Sequence, residues 1–261
     1  MELNLKNKIA VVTGASKGIG LAVTQALVAE GATVVAGARS AGPDLPGLQA
    51  TGRVVFVPVD LSGPAGPLAL VEQARELGGV DILVNNAGAV TPRPEGFGSV
   101  TDEAWEASIA LTLMAAVRTT RAALPEMIRR GGGSIVTISS VNAYLPDPLV
   151  IDYSAAKAAL TNFCKSLSKE VGPAGIRVNT ISPGPVATGL WLGDHGVAET
   201  VAHAAGADPA DIAAQAAAGA VTGRFTRPAE IADLVIVLAS DRTGNVTGAD
   251  FAIDGGLVQT L

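Results

Sequence analysis

The sequence predicts an α/β protein: a Rossmann-type doubly wound sheet of about seven parallel strands with helices on both faces. One observation is that short β-branched runs alternate with longer alanine-rich helical stretches. A second is a glycine-rich turn between the first strand and the first helix. A third is a composition of 48% hydrophobic but only 3% aromatic residues, which suits buried aliphatic strands. Without a linker-like stretch, we predict a single domain over residues 1–261.

The strands can be placed in order along the chain. They are predicted at Ile9–Val12, Thr33–Ala36, Val54–Val57, Ile82–Val84, Ser134–Ile138, Arg177–Ile181 and Asp250–Ile253. Right-handed crossovers place helices on both faces and put ligand sites beyond the carboxyl ends of the strands. The long segment 188–226 separates the last two strands, and we predict that it is an insertion acting as a substrate lid.

Composition excludes several classes of function. A net charge of −6 argues against a nucleic-acid-binding surface. No apolar run approaches the ~20 residues that span a bilayer, and the amino terminus lacks a signal-peptide pattern. The single cysteine, Cys164, excludes an internal disulfide framework and a cysteine-based metal site, and we expect it in the core. The expectation is a cytoplasmic protein that binds neither membrane nor metal.

The first strand leads directly into a glycine-rich loop, and a helical pattern over Leu21–Glu30 follows. In this loop Gly14 permits a tight turn, Gly18 lets the backbone approach a pyrophosphate, and Gly20 allows close contact between helix and strand. The helix amino terminus would then face the anion. This context of strand, loop and helix predicts a dinucleotide site.

The loop, from Thr13 to Gly20, resembles the T-G-x-x-x-G-[IL]-G motif of the short-chain dehydrogenase/reductase family, particularly its 3-oxoacyl-carrier-protein reductase-like members. The resemblance continues through Asn85-Asn86-Ala87-Gly88, Pro183-Gly184 and Asp254-Gly255-Gly256. It implies that Asp60 contacts adenine and that Thr188 meets the carboxamide. The expected cofactor-binding residues are Gly14, Ser16, Lys17, Gly18, Ile19, Gly20, Arg39, Ser40, Asp60, Leu61, Asn86, Ala87, Gly88, Tyr153, Lys157, Pro183, Gly184, Val186 and Thr188.

The end of the second strand favours NADP(H) over NAD(H). An NAD site normally has an acidic residue there for the ribose hydroxyls, whereas this chain has Ala38, followed by Arg39 and Ser40. Arg39 offers a forked donor for a 2′-phosphate, and Lys17 adds a second cation from the glycine-rich loop. NADP(H) is therefore the expected cofactor.

The catalytic constellation is predicted from Tyr153 and Lys157, which lie one helical turn apart on one face. A neighbouring ammonium is expected to lower the pKa of the phenol, so that Tyr153 can donate or remove a proton. The family resemblance assigns Ser140, rather than Ser139, to hold the substrate oxygen, and gives Lys157 a hydrogen bond to the nicotinamide ribose. It also places Thr112 where the family usually has a catalytic asparagine, and we hypothesise that its carbonyl and hydroxyl maintain a proton relay.

The expected function is reduction of a ketone or aldehyde, with a 3-oxoacyl thioester as one substrate class. Two alternatives stay open: an NAD-dependent alcohol dehydrogenase that works oxidatively, and a dinucleotide-binding sensor without turnover. By resemblance, a homotetramer is expected. Substrate contacts are expected from Ser140 and Tyr153 together with Asn142, Tyr144, Leu145, Pro185, Val186, Leu190, Trp191 and Leu192; Trp191 could equally hold the lid against the body of the protein.

Overall fold

A computed structural model describes residues 2–260 of the chain. Its sheet contains the seven predicted parallel strands, with bounds extended by one or two residues at half of their ends. The strands pair in the order β3-β2-β1-β4-β5-β6-β7, which confirms the predicted fold class. They are β1 (Ile9–Thr13), β2 (Thr33–Ala38), β3 (Val54–Pro58), β4 (Ile82–Asn85), β5 (Gly133–Ile138), β6 (Ile176–Pro183) and β7 (Asp250–Ile253).

Helices cover both faces of the sheet. They are α1 (Gly18–Ala29), α2 (Leu45–Gln49), α3 (Ala65–Glu76), α4 (Asp102–Ile109), α5 (Ala115–Arg129), α6 (Ile151–Val171), α7 (Gly189–Leu192), α8 (Val197–Ala205), α9 (Pro209–Ala218) and α10 (Pro228–Ala239). A π-helical turn, Ala110–Met114, joins α4 to α5. Helix α1 begins at Gly18, earlier than the predicted Leu21, because the last two loop glycines form its first turn despite their low helix propensity.

The core has two layers, one on each face of the sheet. Side chains alternate along the strands, so Val12 packs under α1 and α10 whereas Val11 packs under α3 and α5. The second layer also contains Cys164, buried as expected. Within residues 2–260, no helix combines the length and the apolar character needed to cross a membrane.

Strand order positions the functional site. The chain winds outward in one direction from β1 through β2 to β3, and in the other from β4 through β7. Loops after β1 and β4 therefore turn to opposite faces and leave a crevice beyond the carboxyl ends of these strands. The glycine-rich loop and Asn86 both lie at that crevice.

Candidate active site

A cavity of about 1450 Å³ lies beyond the carboxyl ends of the strands. Ligand pockets are usually ~300–1,000 Å³, so it has room for more than one small molecule. The predicted residues that line it are Gly14, Ser16, Lys17, Gly18, Ile19, Arg39, Ser40, Asp60, Leu61, Asn86, Ala87, Gly88, Ser140, Asn142, Leu145, Tyr153, Lys157, Pro183, Gly184, Val186, Thr188 and Trp191. Four predicted site residues lie outside this lining: Gly20, Thr112, Tyr144 and Leu192.

The glycine-rich loop has a backbone that side chains would disturb. Gly14 and Gly18 have φ values of +66° and +56°, a region that glycine adopts at little cost. A Cβ atom on Gly20 would lie 2.3 Å from the carbonyl oxygen of Gly14, so Gly20 supports the loop from beneath. The Asn86 amide donates hydrogen bonds to the carbonyl oxygens of Thr13 (2.9 Å) and Gly14 (3.1 Å). The loop is thereby tied to the end of β4, beside the amino terminus of α1.

Two cations lie at one end of the cavity. Lys17 and Arg39 are exposed there, and within residues 2–260 neither forms a salt bridge. Gly42 lies three residues after Arg39 in the chain, and a Cβ atom on it would lie 2.1 Å from the backbone oxygen of Ser16. The connection after β2 thus packs directly on the glycine-rich loop. Gly42 was not predicted as a site residue, because its contact with Ser16 is tertiary.

At the other end, β5 and α6 bring Ser140, Tyr153 and Lys157 together. The Ser140 side chain lies beside the Tyr153 phenol, and its hydroxyl donates to Asn142 Oδ1 at 3.1 Å. Lys157 Nζ lies 5.6 Å from the centroid of the Tyr153 ring and donates to the Ile138 carbonyl at 2.7 Å. The Ser139 hydroxyl is instead paired with Thr161 at 2.6 Å. Of the two serines, only Ser140 thus presents its hydroxyl to the phenol.

The protonation states differ from the sequence-based expectation. Burial raises the pKa of Tyr153 to about 12, although the Ser140 hydroxyl beside it opposes this rise. Burial also lowers the pKa of Lys157 to about 8. The expected lowering of the phenol pKa by the ammonium is therefore wrong for this structure, because the Lys157 amine is directed at a backbone carbonyl and both groups are desolvated. At neutral pH the phenol holds its proton.

Thr112 lies in the π-helical turn between α4 and α5. Its side chain is buried, and its hydroxyl has no hydrogen-bond partner among residues 2–260. A buried hydroxyl without a partner is unusual in a native protein, and π-helical turns occur frequently at functional sites. No hydrogen bond of the Thr112 hydroxyl among residues 2–260 links it to the catalytic groups, so its predicted role in a proton relay stays a prediction.

The structure separates the expected substrate residues into two groups. Asn142, Leu145, Pro185, Leu190 and Trp191 line the cavity. Tyr144 and Leu192 do not: the hydroxyl of Tyr144 is hydrogen-bonded to Ser182, and the Leu192 side chain is exposed outside the cavity. Trp191 packs edge-on against Phe225, with ring centroids 5.4 Å apart, and also lines the cavity. The position of Trp191 is therefore compatible both with a substrate contact and with holding the lid against the body of the protein.

Sequence analysis missed two sets of residues near the site. Side chains from α8 and α9 line the cavity: Val197, Val201, Ile212, Gln215 and Ala216. Their spacing along each helix was visible in the sequence, but nothing there showed which face is turned inward. The second set is a buried ion pair between Arg93 and Asp152, the residue before Tyr153. Its partners are far apart in the chain, and only the fold brings them together.

Comparison with known proteins agrees with this geometry. The family model described as short chain dehydrogenase matches residues 8–194. The 3-oxoacyl-[acyl-carrier-protein] reductase FabG of Escherichia coli is 36% identical over 98% of this chain and 99% of its own length. A 3-alpha-(or 20-beta)-hydroxysteroid dehydrogenase of Mycobacterium tuberculosis is 34% identical over 100% and 93%. The structure of L-sorbose reductase from Gluconobacter frateurii, complexed with NADPH and L-sorbose, superimposes with a TM-score of 0.92 at 36% identity, covering 100% of both chains.

Proposed function

Because this chain belongs to the short-chain dehydrogenase family and is an oxidoreductase acting on CH–OH and C=O groups, we propose that it reduces a ketone or aldehyde with NADPH. The observation that carries the proposal is the protonated Tyr153 phenol beside Ser140 in the cavity that contains the glycine-rich loop. A phenol whose pKa is about 12 is a poor base at neutral pH but retains a proton to donate. The phenol therefore carries the proton that reduction of a carbonyl group requires.

The catalytic side chains have distinct roles in this proposal. Ser140 and Tyr153 donate hydrogen bonds to the substrate oxygen, which polarises the carbonyl and orients it. When bound, NADPH would supply the hydride for the carbonyl carbon. The Tyr153 hydroxyl would give its proton to the carbonyl oxygen, so that the products would be an alcohol, NADP⁺ and the Tyr153 phenolate. Lys157 then lies close enough to stabilise the phenolate that remains.

The residues around the cavity fit a phosphorylated dinucleotide. The loop glycines leave backbone N–H groups free to contact a pyrophosphate at the start of α1. Lys17 and Arg39 would bind the 2′-phosphate, and the small, buried Ala38 leaves no carboxylate to repel it. The NADPH complex of the sorbose reductase is consistent with this assignment.

The first test is titration of the purified protein with NADPH and with NADH. We expect at least about tenfold tighter binding of NADPH, equivalent to ~1.4 kcal/mol. Arg39→Ala should remove most of this margin, whereas Arg121→Ala, which changes an exposed arginine outside the cavity, should not. Equal or tighter binding of NADH by the unchanged protein would favour the alternative, an NAD-dependent dehydrogenase that works oxidatively.

The second test separates an enzyme from a dinucleotide-binding sensor. Tyr153→Phe should reduce turnover of a ketone panel by at least about 100-fold, the usual effect of losing a general acid, while NADPH binding is retained. Tyr144→Phe is the matched control, because that phenol lies outside the cavity lining. NADPH binding by the unchanged protein without any turnover across ketones, aldehydes and 3-oxoacyl thioesters would support the sensor.

We also propose that segment 188–226 acts as a lid over the substrate and that the protein is a cytoplasmic homotetramer. The proposed lid is supported by α7–α9, which lie within this segment and border the cavity. The proposed homotetramer is supported by the small exposed side chains Ala155 and Ala159 on α6, which permit close packing of helices from two copies of the chain. Gel filtration at micromolar concentration tests the assembly, and a monomer would contradict it.

A further inference from the structure

One part of the cavity that contains the catalytic groups has a nearly uniform chemistry. It is formed by α7, α8, α9 and the segment after β7, and we call it the apolar chamber. Its residues are Trp191, Val197, Val201, Ile212, Gln215, Ala216, Gly219 and Leu257. Among them, Gln215 is the single residue with a hydrogen-bonding side chain other than the indole of Trp191.

The chamber is made by the inward faces of two packed helices. On α8, Val197 and Val201 are four residues apart and therefore lie on one face. On α9, Ile212 and Ala216 have the same spacing. The charged residues of these helices, including Glu199 and Asp211, are exposed and lie outside the lining. The helices thus direct their hydrocarbon side chains at the space where a substrate would extend from Tyr153.

The charges around the cavity are distributed unevenly. Within residues 2–260, the cations of the lining are Lys17 and Arg39, which are assigned to the dinucleotide phosphate, and the catalytic Lys157. On the substrate side of Tyr153, Asp147 contributes a carboxylate, and on α4, which packs against α6, Glu103 and Glu106 contribute two more. An anionic substituent on the substrate would find no cation in the chamber and would be repelled by these carboxylates.

We propose that the substrate is an uncharged carbonyl compound whose bulk is hydrocarbon, and that the apolar chamber selects it over polyols and over substrates with a carboxylate. The inference rests on the proposed carbonyl reduction and adds the substrate class to it. Polyols should bind more weakly, because their hydroxyl groups would give up hydrogen bonds to water and find no replacement among aliphatic side chains. The relatives named above act on very different molecules, so family membership alone does not identify the substrate class of this chain.

The chamber also predicts how selectivity changes with substrate size. Burying one additional methylene group in an apolar site is worth ~0.8 kcal/mol, which corresponds to about a three- to fourfold gain in kcat/KM. We therefore expect kcat/KM to rise from cyclohexanone to the fused bicyclic 2-decalone by at least about tenfold. We expect 2-hexanone to exceed 4-oxopentanoate, a methyl ketone of similar length that carries a carboxylate, by at least about 100-fold. L-Sorbose should be the weakest neutral substrate.

These assays follow NADPH oxidation by the complete protein. Equal rates for the neutral and anionic ketones, or a preference for L-sorbose, would overturn the substrate class while leaving carbonyl reduction intact. Absence of turnover with every ketone, under conditions where NADPH binds, would instead count against the proposed function itself. The two failures are therefore distinguishable.

Two variants test the chamber directly. Ala216→Phe fills it, so kcat/KM for 2-decalone should fall by at least about tenfold while that for cyclohexanone changes less than about threefold. Ala214→Phe is the matched control, because Ala214 is exposed on the same helix and lies outside the lining. Comparable losses in both variants would contradict a chamber at Ala216.

Gln215→Lys is the second variant, and its predicted effect is a gain rather than a loss. The side chain is largely exposed at the rim of the chamber, so the lysine can be accommodated without repacking a core. A cation there should narrow the preference for 2-hexanone over 4-oxopentanoate by at least about fivefold through charge attraction. An unchanged ratio would show that the chamber does not receive the end of the substrate distant from the carbonyl.

Discussion

The buried ion pair between Arg93 and Asp152 provides the sharpest prediction for stability. Asp152 is the second residue of α6 and precedes Tyr153, and its side chain is only 3% exposed. The Arg93 guanidinium, 19% exposed, lies 2.8 Å from the carboxylate. The Arg93 backbone N–H also donates to the Leu149 carbonyl at 2.6 Å. These contacts join the segment after β4 to the start of the helix that carries Tyr153 and Lys157.

Removing one partner leaves the other charge buried without compensation. Such a change typically costs ~3–5 kcal/mol of unfolding free energy. For Arg93→Ala we expect the lower end, about 3 kcal/mol, because backbone N–H groups at the start of α6 also hydrogen-bond to the Asp152 carboxylate. Asp152→Asn should cost less than Arg93→Ala, since the amide retains a hydrogen-bond acceptor of the same shape and leaves no buried carboxylate.

The effect should depend on pH. Burial tends to raise the pKa of Asp152, but the hydrogen bond and charge of Arg93 outweigh it, so the pKa is lowered from 3.8. A group whose pKa is lower in the folded state stabilises the protein above its unfolded pKa, and this stabilisation is lost as pH falls through the folded value. The difference in unfolding free energy between the unchanged protein and Asp152→Asn should therefore be constant near neutrality and shrink below about pH 4.

Urea unfolding of Arg93→Ala, Asp152→Asn and the double variant measures the coupling between the two side chains. We expect a coupling energy of at least ~2 kcal/mol. The exposed pair of Glu72 and Arg75, whose nearest atoms are 2.5 Å apart, is the control, and its coupling should be clearly smaller because solvent screens the two charges. A coupling for the Arg93 pair no larger than that of the control would refute the argument that burial gives this contact its strength.

Three further predictions concern the site. Gly42→Ala should weaken NADPH binding by at least about tenfold in a fluorescence titration because its Cβ would displace the Ser16 carbonyl, whereas Gly47→Ala, with open space around its Cβ, should not. Thr112→Val removes a buried hydroxyl without a protein partner, so its unfolding free energy should stay within ~1 kcal/mol of the unchanged protein or rise; a loss of more than ~2 kcal/mol would mean that the hydroxyl does have a partner. Lys157→Met should abolish turnover yet raise the Tm at pH 7, because burial lowers the lysine pKa from 10.5 to about 8 and so disfavours the charged form in the folded state. The same shift means that the unchanged protein should gain stability relative to Lys157→Met as pH rises from 8 to 10.5. A difference in Tm between the two proteins that does not change in this direction, or a lower Tm for Lys157→Met at pH 7, would contradict it.

Local patterns along the chain were sufficient to predict much of the fold and most of the candidate residues that line the cavity. Apart from the edge strands β3 and β7, the parallel strands are buried on both faces and read as continuous aliphatic runs, and β1 to β7 were each found at nearly their observed bounds. The glycine-rich loop was equally visible, because its close backbone contacts exclude side chains. Tyr153 and Lys157 lie on one helical turn, so their proximity needed no tertiary information.

Properties that depend on several distant segments needed the tertiary structure. The pKa of Tyr153 was expected to fall but rises, because desolvation by surrounding elements exceeds the effect of a neighbouring lysine whose amine is held by Ile138. Gly42 meets Ser16, and Arg93 meets Asp152, only after the strands are ordered in the sheet. Local sequence determines secondary structure and the spacing of chemical groups within one element. Burial, charge environment and the shape of the substrate space arise instead from packing between elements. Only this packing turned the aliphatic faces of α8 and α9 toward the cavity.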